Sequence, residues 1–171
     1  MTQFLRLRTL LTCLCLAASQ LAVAQAQAPV TVVGAWARAS VQGQRSSGAF
    51  MTLTASEPLT LVGISTPAAG LAEVHEMKME GDVMRMRPVQ ALDLAANKPL
   101  QLTPGGYHLM LQELKAPLKP DTTIPITLTF RTARGEQRQL AVQVPVSVMA
   151  PREVGAATTH GMDGMKGMRK P

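Results

Sequence analysis

The sequence predicts an all-β domain, either a sandwich or a small barrel, that is followed by a flexible tail. Eight short runs between residues 30 and 148 are rich in β-branched residues or alternate apolar with polar side chains. Turn formers such as Pro67, Gly81-Asp82 and Pro104-Gly105-Gly106 divide these runs. No window carries a convincing helical period. Seven or eight short strands in a domain of this length are typical of a sandwich or small barrel.

Residues 1–28 have the three-part layout of a secretory signal peptide. Arg6 and Arg8 precede an apolar run from Leu10 to Ala18, which is shorter than the roughly 20 residues that a membrane span needs. Small-x-small triplets then allow cleavage after Ala24, Ala26 or Ala28. We therefore expect an exported, periplasmic protein that does not span the membrane.

A lipoprotein signal is the alternative, because Cys13 and Cys15 lie within the apolar run. The residues that precede these cysteines are Thr12 and Leu14, and neither is small. The cleaved signal peptide is therefore the favoured prediction.

Removal of residues 1–28 leaves 143 of the 171 residues, and both cysteines leave with the signal. The mature chain then has no thiol for a disulfide, for catalysis or for a metal. Loss of the two signal arginines lowers the formal charge from +6 to +4, without aromatic interleaving, so nothing favours nucleic-acid binding. We assign residues 29–150 to one domain and residues 151–171 to a disordered tail, because the tail lacks bulky apolar side chains other than methionine.

The segment "EVHEMKMEGDVMRMRPV" places four methionines at alternate positions close to a histidine. A two-residue turn at Gly81-Asp82 would pair Leu71–Met79 with Val83–Val89 as a β-hairpin. In that register Met79 lies opposite Met84, and Met77 lies opposite Met86. His75 then shares their face, diagonal to Met86. A shift of one residue in the turn would break this arrangement.

A second pair, His108 and Met110, occupies alternate positions in the strand-like run "YHLMLQEL". All three histidines lie within two residues of a methionine, and eight of the eleven methionines fall at 77–86, 110 and 162–168. Thioether sulfur with neutral imidazole is the donor set that selects Cu(I), whereas Zn(II) and Cu(II) favour harder ligands. The plain alternative is that alternating methionines fill the core, since methionine fits irregular gaps.

The spacing from His75 to Met110 reads H-x10-M-x21-H-x-M, and it resembles that of the periplasmic copper chaperones called PCuAC. The blocks "AWARAS", "GAFMTL", "VMRMRPV", "PGGYHLML" and "IPITLTF" are similar to that family as well. The resemblance covers about residues 32–148. It implies a cupredoxin-like Greek-key β-sandwich that holds one Cu(I) at His75, Met86, His108 and Met110.

The resemblance further implies that the protein delivers copper to the copper-site subunit of cytochrome c oxidase, together with a Sco-type partner. We expect a monomer. Some members carry a Met- and His-rich C-terminal extension, and here a second soft ion could be held by His160, Met162, Met165 and Met168. Three further methionines, Met77, Met79 and Met84, are interpreted either as a collar around the site or as ordinary core residues.

Other functions use the same residues less well. Copper storage or resistance would need the same ligands, and the sequence does not separate it from delivery. A blue-copper protein requires a cysteine thiolate, which the mature chain lacks. We also expect no enzyme, because the sequence shows no catalytic arrangement and a saturated His₂Met₂ site leaves no open position for substrate.

Overall fold

The computed structural model describes residues 28–151, which form ten β-strands. Four strands cover the first half of the domain: β1 (Val30–Arg38), β2 (Ser46–Ala55), β3 (Leu59–Ser65) and β4 (Ala69–Glu80). The other six are β5 (Val83–Val89), β6 (Leu92–Leu94), β7 (Pro99–Leu102), β8 (Tyr107–Leu114), β9 (Thr123–Thr132) and β10 (Gln137–Ser147). Within the described range, no helix is long and apolar enough to cross a bilayer.

The strands are arranged in two layers. The front layer has the order β5-β4-β8-β2-β1, with β7 also paired to β2, and the back layer has the order β10-β9-β3-β6. The layers are joined where the end of β1 runs parallel to the end of β10, at Ala37–Arg38 and Val146–Ser147. The all-β prediction is therefore confirmed.

The main core lies between the two layers. Leu53, Leu109 and Leu111 enter it from the front layer, and Ile126 and Phe130 enter it from the back layer; all five are fully buried. Strand β9 shows the reason most clearly, because its alternate residues are apolar and buried while those between them are more exposed. Burial of each such side chain is worth about 1.5–3 kcal/mol.

Residues at both ends of the described range pack against the domain. Ala28, which the sequence assigns to the signal peptide, is buried in the core, and its amide donates a hydrogen bond to the Gln139 carbonyl at 3.3 Å. At the other end Pro151 lines a cavity together with Trp36 and Phe50. The rest of the predicted signal peptide and the tail from residue 152 onward lie outside the described residues.

The eight strand-like runs in the sequence all form strands, and three of them, β5, β8 and β9, have the predicted bounds. The predicted number of seven or eight was nevertheless wrong, because β6 and β7 are strands too. Strand β6 pairs with β3, and β7 pairs with β2. Both are short pieces that owe their conformation to neighbours distant in sequence.

Candidate metal centre

The hairpin of β4 and β5 has the predicted register. Met77 lies opposite Met86 and Met79 lies opposite Met84. The turn between the strands contains Gly81 with φ +63°, a left-handed conformation that glycine adopts at little cost. Because opposite residues of an antiparallel pair point to the same side, this register brings all four methionines to one face.

Strand β8 extends that face on the other side of β4. His108 lies opposite His75, and Met110 lies opposite Glu73. This is the outer face of the front layer, since the alternate residues Leu109 and Leu111 enter the core. We call it the soft-donor face and define it by its seven histidines and methionines: His75, Met77, Met79, Met84, Met86, His108 and Met110. The structure thus brings the predicted donors of the domain to one surface.

The far end of the hairpin has two contrasting sides. The pairing of β4 with β8 stops at Glu76, so residues 77–86 form a two-stranded projection. One side of it carries the methionines. The other carries three ion pairs, Arg85–Glu80 at 3.0 Å, Arg87–Glu80 at 3.4 Å and Arg87–Glu76 at 3.7 Å. The two sides of the projection therefore differ in chemistry, one carrying thioethers and the other paired charges.

The interpretation of these methionines as ordinary core residues was wrong for three of them. Met79, Met84 and Met86 are 54%, 49% and 48% exposed. Met77 and Met110 are half-buried, at the end of the face nearer to the histidines. Long apolar side chains that are half exposed on a two-stranded projection contribute little to folding.

His75 is buried, and its two ring nitrogens have different surroundings. Nε2 lies 3.2 Å from Oε2 of Glu73, and the same oxygen accepts a hydrogen bond of 3.1 Å from the Gln112 side-chain amide. Nδ1 is buried without any hydrogen-bond partner among the described residues. A buried unpaired polar atom costs about 1–3 kcal/mol. The cost would be removed if this nitrogen bound a metal ion.

His108 is also buried, but the ring nitrogen that has a hydrogen-bond partner is Nδ1, whereas in His75 it is Nε2. Its Nδ1 lies 3.1 Å from the Gly106 carbonyl and donates to it in the tautomer that leaves Nε2 as an acceptor. Hydrogen bonds of this kind, from one ring nitrogen to a carboxylate or a carbonyl, are typical of imidazoles whose other nitrogen binds a metal. Each histidine therefore has one nitrogen tied down and one free lone pair.

The separation of the two imidazoles fits a shared ion. Their ring centres lie 6.0 Å apart, with an angle of 55° between the planes. With a metal–nitrogen bond of about 2 Å, each ring centre lies roughly 3 Å from the metal, so two rings can bind one ion at this separation. The thioethers of Met86 and Met110 lie on the same face of the sheet. Among residues 28–151, no three His, Cys, Asp or Glu side chains are grouped as a metal site.

An aromatic wall supports His108 from the side of β2. The Phe50 ring centre lies 6.3 Å from that of His108 and 4.6 Å from that of Trp36. Phe50 occupies space that Gly48 leaves open, because a Cβ atom at Gly48 would lie 2.8 Å from Phe50 Cζ. Trp36 and Phe50 are buried but lie on the outer face, apart from the core between the layers.

The pKa of one neighbouring phenol is raised. Burial raises the pKa of Tyr107, and the hydrogen bond to Glu76 and the negative charge of Glu76 raise it further. Tyr107 and Glu76 lie opposite each other on the face that turns away from the histidines. This shift therefore has no direct bearing on the soft-donor face.

Sequence comparison gives the family. Residues 30–146 match the family described as LpqE-like, whose description is that of a lipoprotein. Lxx21020 of Leifsonia xyli subsp. xyli (strain CTCB07), a protein also named as a lipoprotein, is 32% identical over 116 residues, which are 67% of this chain and 69% of that protein. The chain belongs to the LpqE-like family.

Solved structures share the fold of this LpqE-like protein. The Cu(I) form of DR1885 from Deinococcus radiodurans is 38% identical, with a TM-score of 0.55, over 76% of this chain and 85% of that one. The copper-bound PCuAC domain from PmoF2 is 18% identical, with a TM-score of 0.55, over 72% of this chain and 97% of that one. The apo PCuAC domain from PmoF1 gives 17%, 0.57, 73% and 99% for the same quantities. The names of these structures refer to a Cu(I) form of DR1885 and to PCuAC domains.

Some residues that shape the site were missed by sequence reasoning. Glu73 had a usable signal, because it lies two positions before His75 and so shares its face. Gly48, Phe50 and Gln112 gave no such signal, since their contacts with the site cross between strands. The predicted tail donors, His160, Met162, Met165 and Met168, lie outside the described residues.

Proposed function

We propose that this LpqE-like protein is an exported Cu(I) carrier, which binds one ion at His75, Met86, His108 and Met110. The observation that carries the proposal is the unpaired buried Nδ1 of His75, on a face whose other donors are an imidazole and thioethers. This donor set suits a soft, monovalent ion that needs no charged ligand. Four such ligands would fill the coordination positions of a Cu(I) ion.

Within the proposal each ligand atom has a reason. His75 binds through Nδ1, because Nε2 is held by Glu73, and His108 binds through Nε2, because Nδ1 is held by the Gly106 carbonyl. Met110 lies two residues along β8 from His108, and Met86 lies diagonal to His75 across the hairpin. The remaining hairpin methionines, Met77, Met79 and Met84, form a polarisable collar beside the ion.

The comparisons support copper as the cargo. DR1885, which is 38% identical, is named as a Cu(I) protein, and the PCuAC domain from PmoF2 is named as copper-bound. Export is supported by the lipoprotein names of the family and of Lxx21020. A cleaved signal peptide and a periplasmic location remain part of the proposal, and cleavage after Ala24 or Ala26 would keep the packed residue Ala28 in the domain.

We infer that the carrier delivers copper for assembly of cytochrome c oxidase, with a Sco-type protein as its partner, and that it acts as a monomer. Delivery is favoured over storage by the exposure of the collar, because an exposed sulfur can be exchanged by an incoming protein. Storage or resistance uses the same ligands and is the second candidate. A deletion strain separates them: an oxidase defect in scarce copper indicates delivery, whereas sensitivity to excess copper indicates protection.

The tail could bind a second soft ion through His160, Met162, Met165 and Met168. The described chain ends at Pro151, which lines a cavity with Trp36 and Phe50, beside the aromatic wall. Eight residues lie between Pro151 and His160, and an extended chain reaches at most about 3.3–3.6 Å per residue. The tail donors are therefore within reach of the site.

The direct test is an anaerobic Cu(I) titration against a competing chelator, with residues 27–171 and with residues 27–151. We expect the shorter form to bind one ion tightly, because all four proposed ligands lie within it. Any additional ion bound by the longer form belongs to the tail. If the shorter form binds no copper, the assignment of the site to the β domain is wrong.

A further inference from the structure

A cavity of about 280 Å³ lies beside the proposed copper site, on the side towards β2. Its walls combine soft donors with polar and charged groups. The soft donors are Met77, His108 and Met110, and the other side chains include those of Arg38, Gln44 and Ser46. The volume is at the lower limit of small-molecule sites, which suits a side chain better than a cofactor. The cavity therefore gives access to the ion from the direction of His108 and Met110.

Arg38 gives this cavity a positive charge. The residue is exposed, and its guanidinium carbon lies 5.8 Å from the centre of the Phe50 ring. No carboxylate among residues 28–151 forms an ion pair with it. Arg85 and Arg87, on the charged side of the hairpin, are in contrast both paired with glutamates. The charge of Arg38 is thus available to an incoming group.

We propose that the cavity receives the thiolate of a cysteine from an acceptor protein, and that Arg38 attracts and stabilises that thiolate. The proposal rests on the proposed Cu(I) function. Soft donors on the wall and a soft ion favour sulfur, while an unpaired cation favours a negative charge. A thiolate has both properties. A thioether lacks the charge, and a carboxylate is a hard ligand.

The exchange step is balanced without a redox change. The cysteine thiol releases its proton to solvent as its sulfur binds Cu(I), and Met110, whose side chain lines the cavity, leaves the ion. The copper stays monovalent throughout. The thiolate neutralises the charge of the copper ion, and Arg38 stabilises the sulfur's negative charge during approach.

The test uses the Cu(I)-loaded full-length protein and three blocked pentapeptides, Gly-Ser-X-Ser-Gly, in which X is Cys, Met or Asp. Binding is followed through the Met110 methyl signal and the Gly48 and Gly105 amide signals in NMR spectra. We expect the Cys peptide to shift these signals. Because one proton is released, its affinity should rise about tenfold for each unit by which the pH is raised, up to the thiol pKa of about 8.5. The Met and Asp peptides should bind at least tenfold more weakly.

Substitutions at Arg38 separate charge from packing. Arg38→Gln should weaken binding of the Cys peptide about fivefold to tenfold and leave the Met peptide unaffected. Arg38→Lys should retain most of the binding. Arg87→Gln removes the same charge from the opposite side of the hairpin, so it is the matched control and should change nothing.

The two proposals fail in different ways. If the full-length protein holds no Cu(I) in the anaerobic titration, the carrier function is wrong and this inference falls with it. If copper is bound but the Cys peptide leaves the cavity signals unchanged, only the inference is wrong. Equal binding of the Cys peptide by the Arg38→Gln variant and the unaltered protein also overturns it.

Discussion

The histidines and the hairpin methionines share one sheet face, but they are held in opposite ways. His75 and His108 are 8% and 7% exposed, and each has one ring nitrogen fixed by a hydrogen bond. Met79 and Met84, by contrast, are about half exposed on a two-stranded projection. The nitrogen half of the site is rigid and enclosed, whereas the sulfur half is open.

This difference suits a protein that must hold an ion and also release it. Fixed imidazoles provide affinity without the entropy cost of ordering them at each binding event. Methionine side chains are unbranched and adaptable, so they can move aside for an incoming ligand. We therefore expect substitutions of the proposed ligands His108 and Met110 to reduce affinity most, and those of the exposed collar methionines Met79 and Met84 to act mainly on exchange.

The largest effect is expected from loss of a proposed ligand. His108→Ala or Met110→Leu should each lower Cu(I) affinity by a factor of about 100 or more. The reason is that loss of a residue that only supports a metal ligand already costs about 10–100-fold in affinity. Competition with a chelator measures the affinity, and thermal unfolding shows that the fold is retained. Met149→Leu, at an exposed methionine outside the soft-donor face, is the matched control and should bind copper normally. Full affinity in either ligand variant would mean that the ligand face is assigned wrongly.

A smaller effect is expected from the residue that supports His75. Glu73→Gln weakens the hydrogen bond to Nε2, so Cu(I) affinity should fall about tenfold. The ¹⁵N shifts of the His75 ring in the loaded protein provide a second readout, because they identify the nitrogen that binds copper. Glu76→Gln, on the opposite face of β4, should affect neither quantity. A His75 ring that binds copper through Nε2 in the unaltered protein would contradict the role given to Glu73.

A further prediction concerns the aromatic wall of Trp36 and Phe50, whose packing should contribute to the stability of the fold. Gly48→Ala would bring a Cβ atom to 2.8 Å from Phe50 Cζ, so the ring must move. We expect a loss of about 1 kcal/mol in the free energy of unfolding, with a change in the near-ultraviolet circular dichroism of Trp36, the single tryptophan of the chain. Gly63→Ala makes only an ordinary contact of 3.6 Å with Thr129 and serves as the control. An unchanged Trp36 spectrum would show that Gly48 does not determine the position of the Phe50 ring against Trp36.

The smallest equilibrium effect is expected in the open half. Met84→Leu keeps the volume but removes the sulfur, so Cu(I) affinity should change by less than about threefold. The rate of transfer to a chelator should fall by a similar factor if the collar passes the ion outward. Val83→Ile, next to it on the charged side, is the control for this stopped-flow measurement. A transfer rate equal to that of the unaltered protein would leave Met84 without a role in exchange.

Local pattern explains why much of the hairpin could be predicted from the sequence. Alternation assigned His75 and the methionines to one face, and Gly81-Asp82 fixed the register that the structure shows. These are properties of residues close together in the chain. The fold class followed from the same kind of signal, repeated along eight runs.

Contacts between distant segments explain what the sequence did not reveal. Strands β6 and β7 contain three and four residues, too few for a period, and form because β3 and β2 offer them hydrogen-bonding partners. The support of Glu73 by Gln112 joins residues 39 positions apart. The burial of Phe50 on the outer face also breaks the rule that buried aromatic side chains point into the main core.

The turn at the tip of the hairpin determines which side of β5 contributes to the soft-donor face. A single residue inserted beside Gly81 that shifted β5 by one position would move Met84 and Met86 to the side that now carries Arg85 and Arg87, while the pairing of β4 with β8 stayed as it is. The fold would be kept, but the proposed ligand Met86 would no longer share a face with His75, so we expect the Cu(I) affinity to fall. In a living cell, such a variant would separate the effects of the folded protein itself from the effects of its proposed copper binding.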